Sequence, residues 1–341
     1  MTLSRETRSL HARRGSAPGF RLLLLNLVLG LAPAAEAACT ISAEMDPAAR
    51  GGMERAAQNY FQMAARGDTV ALRLNSTAAL AADFSAVEAA LRLNHAAWTA
   101  APAPLVSAEY LLATEGTATQ ERAEFFCGVW PTPGFTVFVL NQLAPGRYAV
   151  VSLEAPSGPG VYRLSLVLEE RGNAWKLAGF YPRMARIAVH DGAWFWEQAR
   201  GYKSKKQFRD AWFYYLTARE LLLLVPFMSN QQLEQMAGEL SGLPPQGLPG
   251  EKPINFLAGG NVFRVAQVYV VPDDDGLQLV VQHLVADASK SGPMNAQNLA
   301  LIRQWIATYP EYREGFTAVV ARATDPSGRE YGSRMPMKDI K

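Results

Sequence analysis

The chain has 341 residues, 49% of them hydrophobic, which is material for more than one core and makes two domains the starting expectation. Its 33 basic and 31 acidic residues give a net charge of +2. Five arginines (Arg5, Arg8, Arg13, Arg14, Arg21) and two glutamates (Glu6, Glu36) fall in the first 38 positions, so the remainder holds 28 basic and 29 acidic residues, net −1. That near-neutrality removes the electrostatic case for nucleic acid or an anionic membrane as partner.

In chain order the first element is an address. Arginines precede the apolar run Leu22–Leu31, and small residues close the segment with alanine at −3 and −1 of a cleavage site near Ala38. Basic, then apolar, then small is the pattern of a secretory signal over residues 1–38. The apolar run is too short for a membrane-crossing helix of about 20 residues. The mature chain is therefore expected to lack a transmembrane span and to fold in the periplasm or outside the cell. Arg13-Arg14 suggests a twin-arginine signal, but Gly15-Ser16-Ala17 lacks the apolar residues that signal needs.

Two cysteines, Cys39 and Cys127, remain in an oxidising compartment. Three readings stand: a disulfide between them, which is preferred, a lipid on Cys39 as the first mature residue, or free thiols. Glu36 stands where a lipoprotein signal wants leucine, so lipid anchoring is not favoured.

Met53, Ala56, Ala57, Tyr60, Phe61 and Ala64 recur at helical spacing and predict a helix over 46–66, ended by Gly67-Asp68. A second helix is predicted from about Phe84 to Trp98. Six strands follow: Leu105–Thr114, Ala123–Val129, Phe135–Leu143, Tyr148–Glu154, Val161–Glu169 and Ala174–Tyr181. Pro- and Gly-rich turns separate them: 131–134, 144–146, 157–160 and 171–173. In Val161–Glu169 the alternation of Tyr162, Leu164, Leu166 and Leu168 with Arg163, Ser165 and Val167 predicts an antiparallel sheet covered on one face.

N-terminal helices, one ending in Ala65-Arg66-Gly67-Asp68, lead into a meander closing with Gly172-Asn173-Ala174-Trp175-Lys176-Leu177-Ala178-Gly179-Phe180. This resembles the NTF2-like (cystatin-like, SnoaL-type) superfamily over about residues 46–187. The resemblance implies a curved sheet wrapped round helices as a cone, and places an α+β domain at 39–187.

Over 188–240 the spacing predicts a helical hairpin. Ala199, Tyr202, Ala211, Tyr215 and Ala218 fall at offsets 8, 11, 20, 24 and 27 of a 34-residue tetratricopeptide-type unit. The match fails at its end, where Leu223 stands instead of proline. A lone repeat cannot bury its own face, so this tetratricopeptide-like hairpin is expected to pack on a neighbour. Residues 241–260, rich in Pro and Gly, read as a linker. Over 261–341 strands Asn261–Val271 and Leu277–Ala286, the helix Met294–Thr308 and strands Phe316–Ala323 and Arg329–Met335 predict a small ββαββ unit.

Chemistry-bearing patterns are sparse. Asp273-Asp274-Asp275-Gly276 fails as a calcium loop, since position 12 would be Gln282, and reads as a hairpin turn. His95, His190 and His283 are widely separated and have no zinc-type spacing, so neither metal nor cofactor is expected. Asp191 reads as a helix N-cap. If the cone reading holds, the polar residues nearest its mouth are Tyr60, Asp83, His95, Tyr110 and Glu124, and these are the candidate pocket residues. The aromatic belt of the hairpin supplies a candidate partner surface: Trp194, Trp196, Tyr202, Trp212 and Tyr214. Its alternative is burial of both hairpin faces between the domains.

The sequence thus predicts an exported, non-catalytic binding module of the bacterial cell envelope. Its partner would be a protein or a small molecule, with a homodimer among the candidates. The alternative is a cofactor-free isomerase, dehydratase or hydrolase working within the cone.

Overall fold

The computed structural model describes residues 37–341, apart from Pro102, Pro131, Pro133, 158–159 and 244–246. All but the last two residues of the expected secretory signal lie outside the described residues, as do some expected turn residues and Pro244-Pro245 of the expected linker. No helix among the described residues is long and apolar enough to cross a membrane.

The chain opens with strand β1 (Ala37–Ile41) and helix α1 (Pro47–Ala65). Asp46 caps α1 by accepting from Ala48 N and Ala49 N, both at 3.0 Å, with Pro47 in the first turn, where a missing N–H costs nothing. The short helices α2 (Thr69–Leu74) and α3 (Ala78–Ala82) precede α4 (Ser85–Thr99). Strands β2 (Leu105–Thr114), β3 (Gln120–Cys127), β4 (Thr136–Leu143), β5 (Gly146–Ser157), β6 (Gly160–Arg171), β7 (Ala174–Ile187) and the two-residue β8 (His190–Asp191) follow.

The main sheet runs β1-β2-β5-β6-β7-β8, antiparallel throughout and strongly curled into a half-barrel. Ala149, Val151 and Leu153 of β5 and Leu164, Leu166 and Leu168 of β6 pack with Met53, Phe61, Leu72, Phe84, Leu91 and Trp98 of the helical segment. The expectation of a sheet covered on one face is corrected here. Tyr148, Val150 and Val167 point the other way, into a second core with Phe125 and Phe138 of the β3–β4 hairpin. That hairpin forms a three-stranded sheet with β9 (Met228–Asn230). Because both faces are covered there, β5 reads as a continuous apolar run rather than an alternation. A disulfide joins Cys39 of β1 to Cys127 of β3, with a Cα–Cα distance of 5.1 Å. It engages the sulfur that a lipid thioether on Cys39 would need.

Helices α5 (Gly192–Ser204) and α6 (Phe208–Leu222) make the hairpin. Asp191 caps α5, accepting from Trp194 N at 2.9 Å. Gly192 lets the two helices meet: a Cβ there would lie 2.6 Å from Leu222 Cγ and 2.9 Å from the Ala218 carbonyl oxygen. Arg163 of β6 pairs with Glu154 and donates to the Leu221 carbonyl at 2.8 Å, placing a cation at the C-terminus of α6.

After β9 come α7 (Gln231–Ser241), β10 (Ile254–Ala258), β11 (Asn261–Asp273), β12 (Gly276–Leu284), α8 (Ser291–Thr308), α9 (Tyr312–Gly315), β13 (Ala318–Thr324) and β14 (Glu330–Pro336). The C-terminal sheet is β10-β11-β12-β13-β14, with β12 and β13 parallel across the α8 connection and Asp274-Asp275 turning β11 into β12. Strand β10 lies in the stretch expected to be a linker, so this unit is βββαββ rather than ββαββ. The five residues of β10, bracketed by Pro253 and Gly259, are too few to announce a strand by periodicity. One continuous core runs from Phe195, Phe213 and Tyr215 of the hairpin to Trp305, Leu279, Val281 and Val319 of this unit.

Candidate functional site

The five residues expected at the cone mouth do not converge. Tyr60 is buried on the helical face, where its hydroxyl shares a proton between the carbonyls of Asn75 (2.8 Å) and Trp175 (2.9 Å). Burial raises its pKa, so it serves as a structural donor. Asp83 is exposed between α3 and α4 and accepts from Ser85 Oγ at 3.1 Å. His95 is exposed on α4, beside a cleft also lined by Arg66, Glu88 and Arg92. Tyr110 lies on the opposite face of the main sheet, edge-on to Phe138 at 5.0 Å. Glu124 is half-exposed on β3 and bonded to Arg122 at 2.6 Å. Meanwhile the face of the sheet that the helices cover is filled by Phe61, Phe84 and Trp98.

Most of the aromatic belt is committed to holding the hairpin in place. Trp196 donates Nε1–H to Glu239 at 3.0 Å and lies under the Arg200 guanidinium at 4.0 Å. Glu239, on α7, also accepts from Arg200 (2.6 Å) and Tyr215 (2.8 Å). Those bonds, Arg200's first, hold its carboxyl down to about 2, against burial, which pushes the other way. Tyr202 and Tyr214 donate to the Glu314 and Gly315 carbonyls at 3.1 and 2.7 Å, tying the hairpin to α9. Trp194 stacks on His190 with ring centroids 3.6 Å apart. The belt is therefore largely interior, because the C-terminal sheet covers one side of the hairpin.

Trp212 is different: it is half-buried and lines a cleft of about 540 Å³. Trp212, Phe213, Leu216 and Leu221 come from α6, Met184 and Ile187 from β7, Val268 and Val270 from β11, and Leu277 from β12. Residues 212 and 216, like 213 and 217, are one helical turn apart, so α6 presents a continuous stripe to the cleft. Strands β7 and β11 contribute consecutive residues, Pro182 to Met184 and Val268 to Val270. The polar lining is Arg183, Thr217, Glu220 and Tyr269. Arg183 Nη1 pairs with Glu220, yet its Nε–H is buried without a hydrogen-bond partner among the described residues. The site is thus an apolar trough whose polar lining includes the Arg183–Glu220 ion pair.

Sequence reasoning missed this cleft except for Trp212. Its other apolar lining residues read as ordinary core, and only the meeting of four elements leaves it uncovered. It also missed Asp210, a first-turn residue of α6 that is 0% exposed. Neither carboxylate oxygen has a partner among the described residues. Burial, then the charges of Glu311 and Glu314, push its pKa up to about 7 against Arg209 and Lys205. No group of His, Cys, Asp or Glu among the described residues is arranged to hold a metal ion. Comparison of the chain with protein-family models, with curated proteins and with solved structures finds no match to any of them.

Proposed function

We propose that this protein is an exported binding module of the bacterial envelope, whose ligand is an amphiphile with an apolar chain and an acidic head. The cleft beside α6 carries this reading. Its volume lies in the range of small-molecule sites, its walls are apolar, and the Arg183 guanidinium in its lining, exchanging Glu220 for the ligand's head, supplies a charge-assisted bond for a carboxylate. The curled sheet with helices packed on one face supports the NTF2-like resemblance, and the α5–α6 hairpin supports the tetratricopeptide-like one. The filled space between the helices and the sheet weighs against an enzyme working there.

Titration with hexadecanoate and with the matching alcohol, followed by tryptophan fluorescence, tests it. Saturable one-to-one binding is expected, with the acid preferred about tenfold, and Arg183→Gln should erase that preference. Leu216→Arg, which drives a charge into the trough, should abolish binding of both. Absence of saturable binding, or unchanged binding by Leu216→Arg, would overturn the proposal.

A further inference from the structure

The hairpin of β3 and β4 ends in an apolar knob that the cleft reading does not use. Phe126, Val129 and Trp130 are 55, 66 and 63% exposed, large values for such side chains. Phe135 joins them: Phe126 stacks on it at 6.2 Å and Trp130 meets it edge-on at 5.1 Å. Two backbone hydrogen bonds brace it. Thr132 N donates to the Val129 carbonyl at 2.9 Å, and Phe135 N to the Thr132 carbonyl at 3.0 Å. Gly128 has φ +88°, a left-handed conformation that suits glycine, and a Cβ there would sit 3.3 Å from the Gly134 carbonyl oxygen. Directly behind the knob, Cys127 is locked to Cys39.

We infer that this knob is a membrane-surface anchor that inserts its aromatic side chains into the interface of a neutral lipid bilayer. Three observations select lipid over a protein groove. From Cys127 through Gly146 the chain has no charged residue, so the tip can leave water without desolvating an ion. Phe126, Val129 and Trp130 are each more than half exposed, and a bilayer interface accepts all of them without a shaped pocket, while favouring Trp at the headgroup level. The knob is also tied by the disulfide to β1, two residues after the described chain begins, and the preceding sequence holds the apolar run Leu22–Leu31 of an export address. After passage through a membrane, the nearest apolar phase is that membrane's outer surface. This inference is independent of any ligand in the cleft.

Co-sedimentation of the protein purified from its producing cells tests it, with vesicles of pure phosphatidylcholine and of phosphatidylcholine with phosphatidylglycerol, at low and high salt. Binding to the neutral vesicles is expected, with little dependence on salt or on the anionic lipid. The double variant Val129→Ser/Trp130→Ser should weaken it at least tenfold while leaving the melting temperature unchanged, because both side chains face solvent. Thr132→Lys, which keeps every aromatic but adds a charge to the tip, should weaken it too. Any part of residues 1–38 that stays attached is common to all the variants, so their differences isolate the knob. Absence of vesicle binding, or equal binding by both variants, would overturn the inference. So would a wild-type dimer that ignores vesicles and becomes monomeric in the double variant, since the knob would then be a protein interface.

Discussion

Asp210 shows how much one side chain can carry unseen. In sequence it is an acidic residue in the first turn of a helix, a placement that usually stabilises through the helix dipole. In the fold it lies under α9, with Gly315 against it and both oxygens unpartnered among the described residues. Its pKa stands at about 7, against 3.8 for an ordinary aspartate. Between these values the folded state holds a proton that the unfolded state has released, so stability falls as pH rises from about 4 and the loss is complete just above 7. Asp210→Asn removes that dependence. At pH 8 it should stabilise the protein by about 2–4 kcal/mol, and at pH 4 by almost nothing. Urea midpoints at the two pH values read this directly, and an equal effect at both would refute the assignment.

At the scale of elements, the β3–β4 hairpin depends on more than its own ladder. It pairs only briefly with β9, and its inner residues Phe125 and Phe138 pack against the outer face of β5 and β6. The disulfide adds a covalent tie to β1 across a sequence separation of 88. Closing a loop of that length restricts the unfolded chain by up to about 4–5 kcal/mol in the chain-entropy account, and removal of native disulfides costs about 2–5 kcal/mol. The double variant Cys39→Ser/Cys127→Ser should therefore lower the unfolding free energy measured by urea denaturation by an amount in that range, while retaining the circular-dichroism spectrum. Reductant should reproduce the loss in the wild type and have no effect on the variant.

For the whole molecule, the continuous core from the hairpin into the C-terminal sheet makes a cooperative prediction. Phe213 of α6 is 3% exposed and meets Phe316 edge-on at 6.1 Å and Tyr312 at 6.4 Å. Phe213→Ala should cost about 3–5 kcal/mol, the range for a buried aromatic. Because hairpin and sheet share that core, calorimetry should show them unfolding in one transition that shifts down as a unit. Two resolved transitions, of which only one moves, would count against a shared core.

The chain order of α1, α4, strands β2 to β7 and the hairpin helices was legible in the sequence, because each has a long enough apolar period or a clear cap to declare itself: the stripe of α1, Asp191 before α5; that β3 and β4 leave the meander for a sheet of their own was not. Strand β10 and helix α7 were not, since each is short and its identity comes from neighbours that satisfy its backbone or bury its face. The candidate site was less legible still. Tyr60, Asp83, His95, Tyr110 and Glu124 were grouped by their chemistry, and the sheet then divides them between its two faces. Trp212 was named for its aromaticity, but its opening to solvent follows from how β7, α6 and β11 meet. Local pattern determines which residues enter helices and strands. Only tertiary packing decides which apolar surfaces are covered, which acid loses its water, and where a trough is left open.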